Sequence, residues 1–221
     1  MSLNPSIRKV VPPTPPSAIA SYDYSDIADG TGVKNFYACQ SIASGAYGTA
    51  YYLTTDTSII SGRVAEKLQN KSGLVSDMNY DVVFNLPKII KGNVRISLGQ
   101  GVSGDTVSVT LRLSLYKISD GVTTQIGNSV DTDKTTQTGA GQTSHTRNLT
   151  IDTSERIHFK IGDTLRLNVK MYGQVGVAPN TMGYGCDPAG TTDAVDSCGA
   201  IVIVAPDPTK LTVGIPFIID I

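Results

Sequence analysis

The stretch HFKIGDTLRLNVKMYG, residues 158–173, alternates apolar and polar side chains through its second half. The apolar side chains occupy every second position, at Leu165, Leu167, Val169 and Met171. The intervening positions are polar, at Arg166, Asn168 and Lys170. Because successive strand side chains point to opposite faces, this pattern predicts a strand whose apolar face is buried and whose polar face meets solvent or a neighbouring subunit. The preceding Gly162-Asp163 pair predicts a turn that closes a hairpin with RIHFKI.

The same period of two recurs in TVSVTLRLSLYKI, residues 106–118, and in LTVGIPFIIDI, residues 211–221. An Asp-Gly pair follows the first of these segments, so residues 105–127 are predicted to form a hairpin. In the second segment Pro216 lacks an N–H, which predicts a sheet edge or a bulge at that point.

About ten such segments, with turn residues every 8–12 positions, predict an all-β fold, namely an antiparallel β-sandwich that resembles a jelly roll. The one predicted helix is short, GRVAEKLQN at 62–70, and residues 131–144 are predicted to be a polar loop. IVIV at 201–204 is predicted to be a buried strand. We expect residues 1–20 to form an extended arm and residues 21–221 to form a single β-sandwich domain.

The arm prediction rests on four prolines within five positions, which favour an extended chain of polyproline type: Pro12, Pro13, Pro15 and Pro16. Such an arm is expected to contact neighbouring subunits, and deletion of residues 2–17 should then spare the fold and weaken assembly. Arg8 and Lys9 precede the prolines, so a ligand for an SH3-type domain and a stiff tether are alternative interpretations.

Charge and hydropathy exclude several classes of protein. The formal net charge is −1 and only 17% of residues are charged, so no basic stripe is present to neutralise phosphates. No apolar run approaches the roughly 20 residues that a membrane span needs. The first residues lack the apolar segment of a secretory signal, which predicts synthesis in a cytoplasm without classical export.

The three cysteines are Cys39, Cys186 and Cys198, an odd number that does not indicate a secreted disulfide framework. Cys186 and Cys198 are predicted either to pair or to remain as thiols. They lie in GYGCDPAGTTDAVDSCGA, residues 183–200, a glycine-rich loop. Its carboxylates are weak calcium candidates, since their spacing matches no EF-hand: Asp187, Asp193 and Asp196. The alternative is an exposed loop without metal.

Motifs of catalysis are missing from the sequence. GQGVSG at 99–104 has the spelling of a dinucleotide loop, but an alternating strand follows it in place of the required helix. SIRK at 6–9 lies in the proline-rich arm, and neither of the two histidines belongs to an evident catalytic set. We therefore expect no cofactor and no enzymatic activity.

A carbohydrate- or receptor-binding module is the alternative to a structural protein, because such modules are commonly β-sandwiches. Tyr172 and Tyr184 flank the long loop and are the candidate contact residues for a glycan or a neighbouring subunit. The sequence contains no tryptophan, which weakens the carbohydrate interpretation.

The Trp-free β chain, its proline-rich arm and its apolar terminal strand resemble virion structural proteins of tailed bacteriophages. This resemblance implies a capsid decoration or auxiliary head protein that forms homo-oligomers in many copies. The implied partners are other copies and other virion proteins, and the implied location is the virion. The arm would lie across neighbouring subunits, because a stiff segment loses little entropy on docking.

Overall fold

The computed structural model describes residues 31–41, 50–61, 63–190 and 210–218. Strands hold 74% of these residues, and no helix occurs within these ranges. The described segments thus include no helix long and apolar enough to cross a membrane. The strands are β1 (Thr31–Ser41), β2 (Ala50–Thr54), β3 (Arg63–Leu68), β4 (Ser72–Val83), β5 (Lys88–Ser103), β6 (Val107–Ser119), β7 (Val122–Asp131), β8 (Thr135–Gln137), β9 (Gln142–Phe159), β10 (Thr164–Val175), β11 (Asn180–Gly185) and β12 (Thr212–Ile218).

Eight of these strands pair like one long hairpin that has been rolled up. Reading inward from both ends of the chain, β1 pairs with β12, β4 with β10, β5 with β9, and β6 with β7, all antiparallel. β12 also pairs with β5, and β10 with β6. Two four-stranded layers result, ordered β1-β12-β5-β9 and β4-β10-β6-β7 and called the two sheets below; with β2, β3, β8 and β11 they form one continuous sheet of twelve strands. This is a jelly-roll arrangement, and the predicted all-β, sandwich-like fold is confirmed.

The core lies between these two sheets and takes side chains from both. From β5 come Val94, Ile96 and Leu98, and from β10 come Leu165, Leu167, Val169 and Met171; each is at most 1% exposed. All seven belong to one continuous apolar cluster. The parity predicted for the opening stretch is therefore confirmed for its apolar side chains.

The two sides of the sandwich close differently. On one side β2 joins the sheets, pairing along β1 and bridging to β4 through a single parallel contact between Tyr52 and Asp81. On the other side β7 packs against β9 at Gly127, whose φ is +63°. A Cβ at Gly127 would lie 2.4 Å from the carbonyl oxygen of Asp152, so only glycine permits this close approach.

Two predicted elements are wrong. The segment predicted as a helix at 62–70 contains strand β3, which pairs with β11 along its full length. Here cross-strand pairing overrides a short helical spacing. The predicted loop at 131–144 contains strand β8, which pairs with residues 107–109 of β6. Of its three polar side chains Thr135 is buried, Thr136 is exposed and Gln137 is half-buried, so this short strand carries no apolar pattern that could reveal it.

The predicted hairpin at Gly162-Asp163 is also wrong. β9 pairs with β5 in one sheet, whereas β10 pairs with β4 and β6 in the other, so this turn crosses between sheets. Phe84 holds the turn from the opposite strand: its N–H donates to the carbonyl of Asp163 at 2.9 Å, and its carbonyl accepts from the N–H of Gly162 at 2.8 Å.

The carboxylate of Asp163 stabilises this corner. It accepts the N–H of Lys160 at 2.8 Å and lies 3.1 Å from Nζ of Lys117. Hydrogen bonds from the Lys160 backbone and the Ser119 side chain, with the nearby Lys117 ammonium, lower the pKa of Asp163 from 3.8 to about 2. Because the folded-state pKa is depressed, this contribution to stability is complete above the unfolded value. It is lost as the pH falls through the window between the two values.

We expect Asp163→Asn to be less stable than wild type at neutral pH and to lose less stability between about pH 4 and pH 2. Urea unfolding across this pH range measures both effects. Lys117→Met removes the ammonium but keeps the Lys160 N–H that donates to the Asp163 carboxylate. The fall in stability between about pH 4 and pH 2 should therefore become smaller only in part. If Asp163→Asn and wild type lost the same stability between about pH 4 and pH 2, Asp163 would not be the source of the acid sensitivity.

Pro216 lies in an interior strand, because β12 runs between β1 and β5. The edge alternative is therefore wrong and the bulge is confirmed, since the register against β5 shifts between Gly214 and Phe217. The arm at 1–20 and the strand predicted at 201–204 lie outside the described residues.

Candidate functional site

The outward side of the β4-β10-β6-β7 sheet, called the outer face below, carries the polar half of the opening stretch. The register of β10 with β4 and β6 places the side chains of these three strands on the outer face in rows. They are Asp77, Asn79 and Asp81 of β4, Arg166, Asn168, Lys170 and Tyr172 of β10, and Thr110, Arg112, Ser114 and Tyr116 of β6. The sequence analysis missed the contribution of β4, although DMNYD places Asp77, Asn79 and Asp81 at alternate positions.

Opposite charges on the outer face are paired. The guanidinium of Arg166 donates two hydrogen bonds to the Asp81 carboxylate, both of 2.7 Å. These bonds raise the pKa of Arg166. Arg112 binds Asp131 of β7 in the same two-pronged way, at 2.7 and 2.8 Å, and its hydrogen bond lowers the pKa of Asp131. The face is therefore strongly polar but locally neutral.

Asn168 lies at the centre of the outer face and is only 5% exposed. Its Nδ2 donates to Oδ1 of Asp77 and, at 2.9 Å, to Oδ1 of Asn79. The alternation predicted only that this side chain faces solvent or a neighbouring subunit, and it did not predict this burial. Asn168 faces outward, and its amide ties β10 to β4.

We expect Asn168→Ala to lower the free energy of unfolding by about 1 kcal/mol, since two acceptors on β4 lose a shared donor. Without these hydrogen bonds, a site that is only solvated would change stability by less than about 0.5 kcal/mol. Asn148→Ala is the control, because Asn148 is exposed on the outward side of β9. Equal unfolding midpoints for the two variants would show that the amide network contributes nothing.

Tyr172 forms a corner of the outer face together with Leu74. The two residues are directly opposite in register, and Leu74 is 46% exposed. The guanidinium carbon of Arg112 lies 5.6 Å from the centroid of the Tyr172 ring, within range of a cation–π contact. The corner thus combines an apolar, an aromatic and a cationic side chain at the end of an otherwise polar face.

Tyr184 has no such exposure, and its assignment as an interface residue is corrected. Its side chain is fully buried, and its hydroxyl lies 3.0 Å from that of Tyr80 across the sandwich. Burial raises the pKa of both phenols. The ring of Tyr184 therefore offers no surface to a glycan or a subunit.

The beginning of the predicted exposed loop at 183–200 is buried. Cys186 and Asp187 are both 0% exposed, and burial raises the pKa of the Cys186 thiol to about 12. Oδ1 of Asp187 accepts the N–H of Ser61 at 2.9 Å. Asp193, Asp196 and Cys198 lie outside the described residues, so calcium binding and the Cys186–Cys198 pair stay predictions. Within the described ranges no three His, Cys, Asp or Glu side chains are grouped to hold a metal.

No family model matches the chain, and no curated protein matches it. Among solved structures it is similar to a CocE/NonD family hydrolase from Staphylococcus aureus, with 12% identity, a TM-score of 0.45 and coverage of 85% of this chain and 36% of that one. A second structure of the same hydrolase family gives 11% identity and a TM-score of 0.45. A structure of infectious bursal disease virus Gx strain gives 11% identity, a TM-score of 0.21 and coverage of 80% of this chain and 46% of that one.

The expectation that the chain is not an enzyme is corrected by these comparisons, because hydrolases are among the matching structures. Missing motifs do not exclude catalysis, since catalytic groups are recognised by their geometry and come from positions far apart in sequence. The chain spans little more than a third of the hydrolases' length. With TM-scores below 0.5, the matches assign neither the hydrolases' activity nor the virus's assembly to this protein.

Proposed function

We propose that this protein is a structural component of a virus particle, of the capsid decoration or auxiliary head type found in bacteriophages. It assembles in many copies with itself and with other virion proteins. The observation that carries the proposal is the outer face, whose charges are paired within the sheet and whose corner holds Tyr172, Leu74 and Arg112.

Pairing within the sheet lowers the cost of covering this face. An unpaired charge loses its hydration when a partner covers it, whereas the carboxylates of Asp81 and Asp131 each keep two strong hydrogen bonds. Charged residues are in general depleted from the centres of protein interfaces, whereas arginine is enriched there. The outer face therefore suits contact with another folded surface.

The Tyr172 corner supplies the anchor for such a contact. Tyrosine and arginine are enriched among interface residues that carry most of the binding energy. Arg112 stacks on the Tyr172 ring and so occupies one face of it. That arrangement favours a protein partner over a sugar, which would need an open aromatic face on which to stack.

The test is the assembly of the full chain. We expect Arg112→Ala to weaken self-association by about tenfold or more, because it removes the cationic part of the corner anchor and leaves Asp131 unpaired. The stability should change by less than about 1 kcal/mol, since both side chains of the pair are nearly half exposed. Light scattering during size-exclusion chromatography and electron microscopy measure the assembly.

Arg95→Ala is the matched control, because Arg95 is exposed on the outward side of β5 in the opposite sheet. Wild-type assembly in this variant, together with loss in Arg112→Ala, supports the proposal. A wild-type chain that stays monomeric alone and beside its native particle would overturn it. A monomer that binds a glycan array through Tyr172 would instead establish the alternative, a carbohydrate- or receptor-binding module.

A further inference from the structure

A group of polar side chains fills the interior of the sandwich where β8 and β9 face each other. We call this group the polar seam; it consists of Gln100, Thr135, Gln137, Thr143 and Arg147. Gln100 is 0% exposed and Thr135 is 1% exposed. Burial of these two side chains beside an apolar core requires that their hydrogen bonds be satisfied, whereas Gln137, Thr143 and Arg147 are only partly buried.

Three hydrogen bonds join members of the seam to one another. Nε2 of Gln100 donates to the hydroxyl of Thr135 at 2.9 Å and approaches the carbonyl of Val109 at 3.1 Å. Nη2 of Arg147 donates to the same Thr135 hydroxyl at 3.0 Å. Thr143 donates to Oε1 of Gln137. The Thr135 oxygen on β8 thus accepts one hydrogen bond from Gln100 of β5 and one from Arg147 of β9.

Two buried atoms of the seam have no hydrogen-bond partner among the described residues. They are Oε1 of Gln100, which is an acceptor, and Nε of Arg147, which is a donor. Each belongs to the same planar group as a nitrogen that contacts the Thr135 hydroxyl. Each unpaired atom is therefore two covalent bonds away from a nitrogen that contacts the same hydroxyl oxygen. Rotating the Gln100 amide would not resolve the mismatch, because its oxygen would then face the carbonyls of Val109 and Asp133.

We propose that three residues of the polar seam, Gln100, Thr135 and Arg147, bind an ordered water molecule that bridges Gln100 and Arg147. The water donates to Oε1 of Gln100 and accepts from Nε of Arg147, and the Thr135 hydroxyl has a proton to donate to it. Buried waters typically make about three hydrogen bonds, which is the number this site provides. The bridge completes the connection between β5, β8 and β9.

The chemistry of the seam selects a neutral occupant. The guanidinium of Arg147 repels a cation, and Nη1 of Arg147 already lies 3.5 Å from the carboxylate of Asp133. An anion would face the lone pairs of Oε1 of Gln100. An apolar molecule would leave both groups unsatisfied. A neutral molecule that both donates and accepts satisfies the two groups together, and water is the smallest of these.

A crystal structure of the full chain at a resolution that shows ordered solvent tests this inference. We expect density for one water within about 3.2 Å of both Oε1 of Gln100 and Nε of Arg147. The result does not depend on the proposed function, because it requires neither assembly nor a partner. The inference would be overturned if no solvent density lay beside well-ordered Gln100 and Arg147 side chains. A direct hydrogen bond from another residue to Oε1 of Gln100 or to Nε of Arg147 would also overturn it.

Gln100→Met provides the variant test, because methionine has a similar shape and lacks the acceptor. The water should be missing from that variant and present in the control Gln137→Met, whose amide bonds elsewhere in the seam. A water kept at full occupancy in Gln100→Met would also overturn the inference. If Gln100→Met does not fold, the wild-type density and the Gln137→Met density decide the question.

Discussion

Leu167→Ala is expected to lower the free energy of unfolding by about 2–5 kcal/mol, because the truncation leaves a cavity that the core fills only in part. Leu167 is 0% exposed. It lies near the middle of β10, opposite Tyr80 of β4 on one side and Leu115 of β6 on the other. Paired strands on both sides hold the backbone in place, so the site has little freedom to collapse.

Urea or thermal unfolding followed by circular dichroism measures this loss. Leu74→Ala makes the same chemical change on the outer face of the same sheet, where the side chain is 46% exposed. We expect that control to lose less than about 1 kcal/mol. Equal losses in the two variants would mean that the assigned parity of β10 is wrong, since a shift of one residue exchanges the two faces.

Gly183→Ala is expected to cost about 3 kcal/mol or more, at the upper end of the range for overpacked sites. Gly183 lies in β11 between β3 and β5, paired with Ala65 on one side and Gly101 on the other. An added Cβ would lie 2.2 Å from the carbonyl oxygen of Val64 and 3.0 Å from Cα of Ala65. These are backbone atoms, so no side-chain rotation relieves the overlap, and β3 has to move away.

The same unfolding experiment measures this effect. Gly176→Ala is the matched control, because the contacts of a Cβ there begin at 3.4 Å, an ordinary packing distance. We expect Gly176→Ala to change stability by no more than about 1 kcal/mol in either direction. If Gly183→Ala were as stable as wild type, β3 would have to lie farther from β11 than their hydrogen-bonded pairing allows.

Alternation alone was sufficient to predict the buried face of β10 and the all-β class. Leu165, Leu167, Val169 and Met171 follow from the period of two, because an alternating strand in a two-layer protein has one wet face. The burial of Asn168 does not follow from this rule. Its partner Asp77 is 91 residues away in sequence, and nothing within β10 indicates that β4 supplies acceptors there.

The turn residues indicated correctly where one strand ends and the next begins. They were a less reliable guide to whether those two strands pair through hydrogen bonds. Asp120-Gly121 joins two strands of one sheet, with φ of +51° and +79°, as the Asp-Gly pair predicted. Gly162-Asp163 has similar chemistry and joins strands of different sheets. The difference arises from the Phe84 backbone and the Lys117 ammonium, which lie far from the turn in sequence and hold it as a corner.

The rolled hairpin also sets an order for the folding reaction. The β6–β7 pair joins neighbours in sequence through a two-residue turn, whereas β1 and β12 come from opposite ends of the described chain. Because closing a loop costs more entropy as the loop lengthens, we expect pairing to spread outward from β6–β7 and to reach β1–β12 last. Folds dominated by such distant contacts take milliseconds to seconds to form. Until that last pair closes, the edge of β5 that β12 covers stays open to other chains, and this interval is when the protein is most exposed to aggregation.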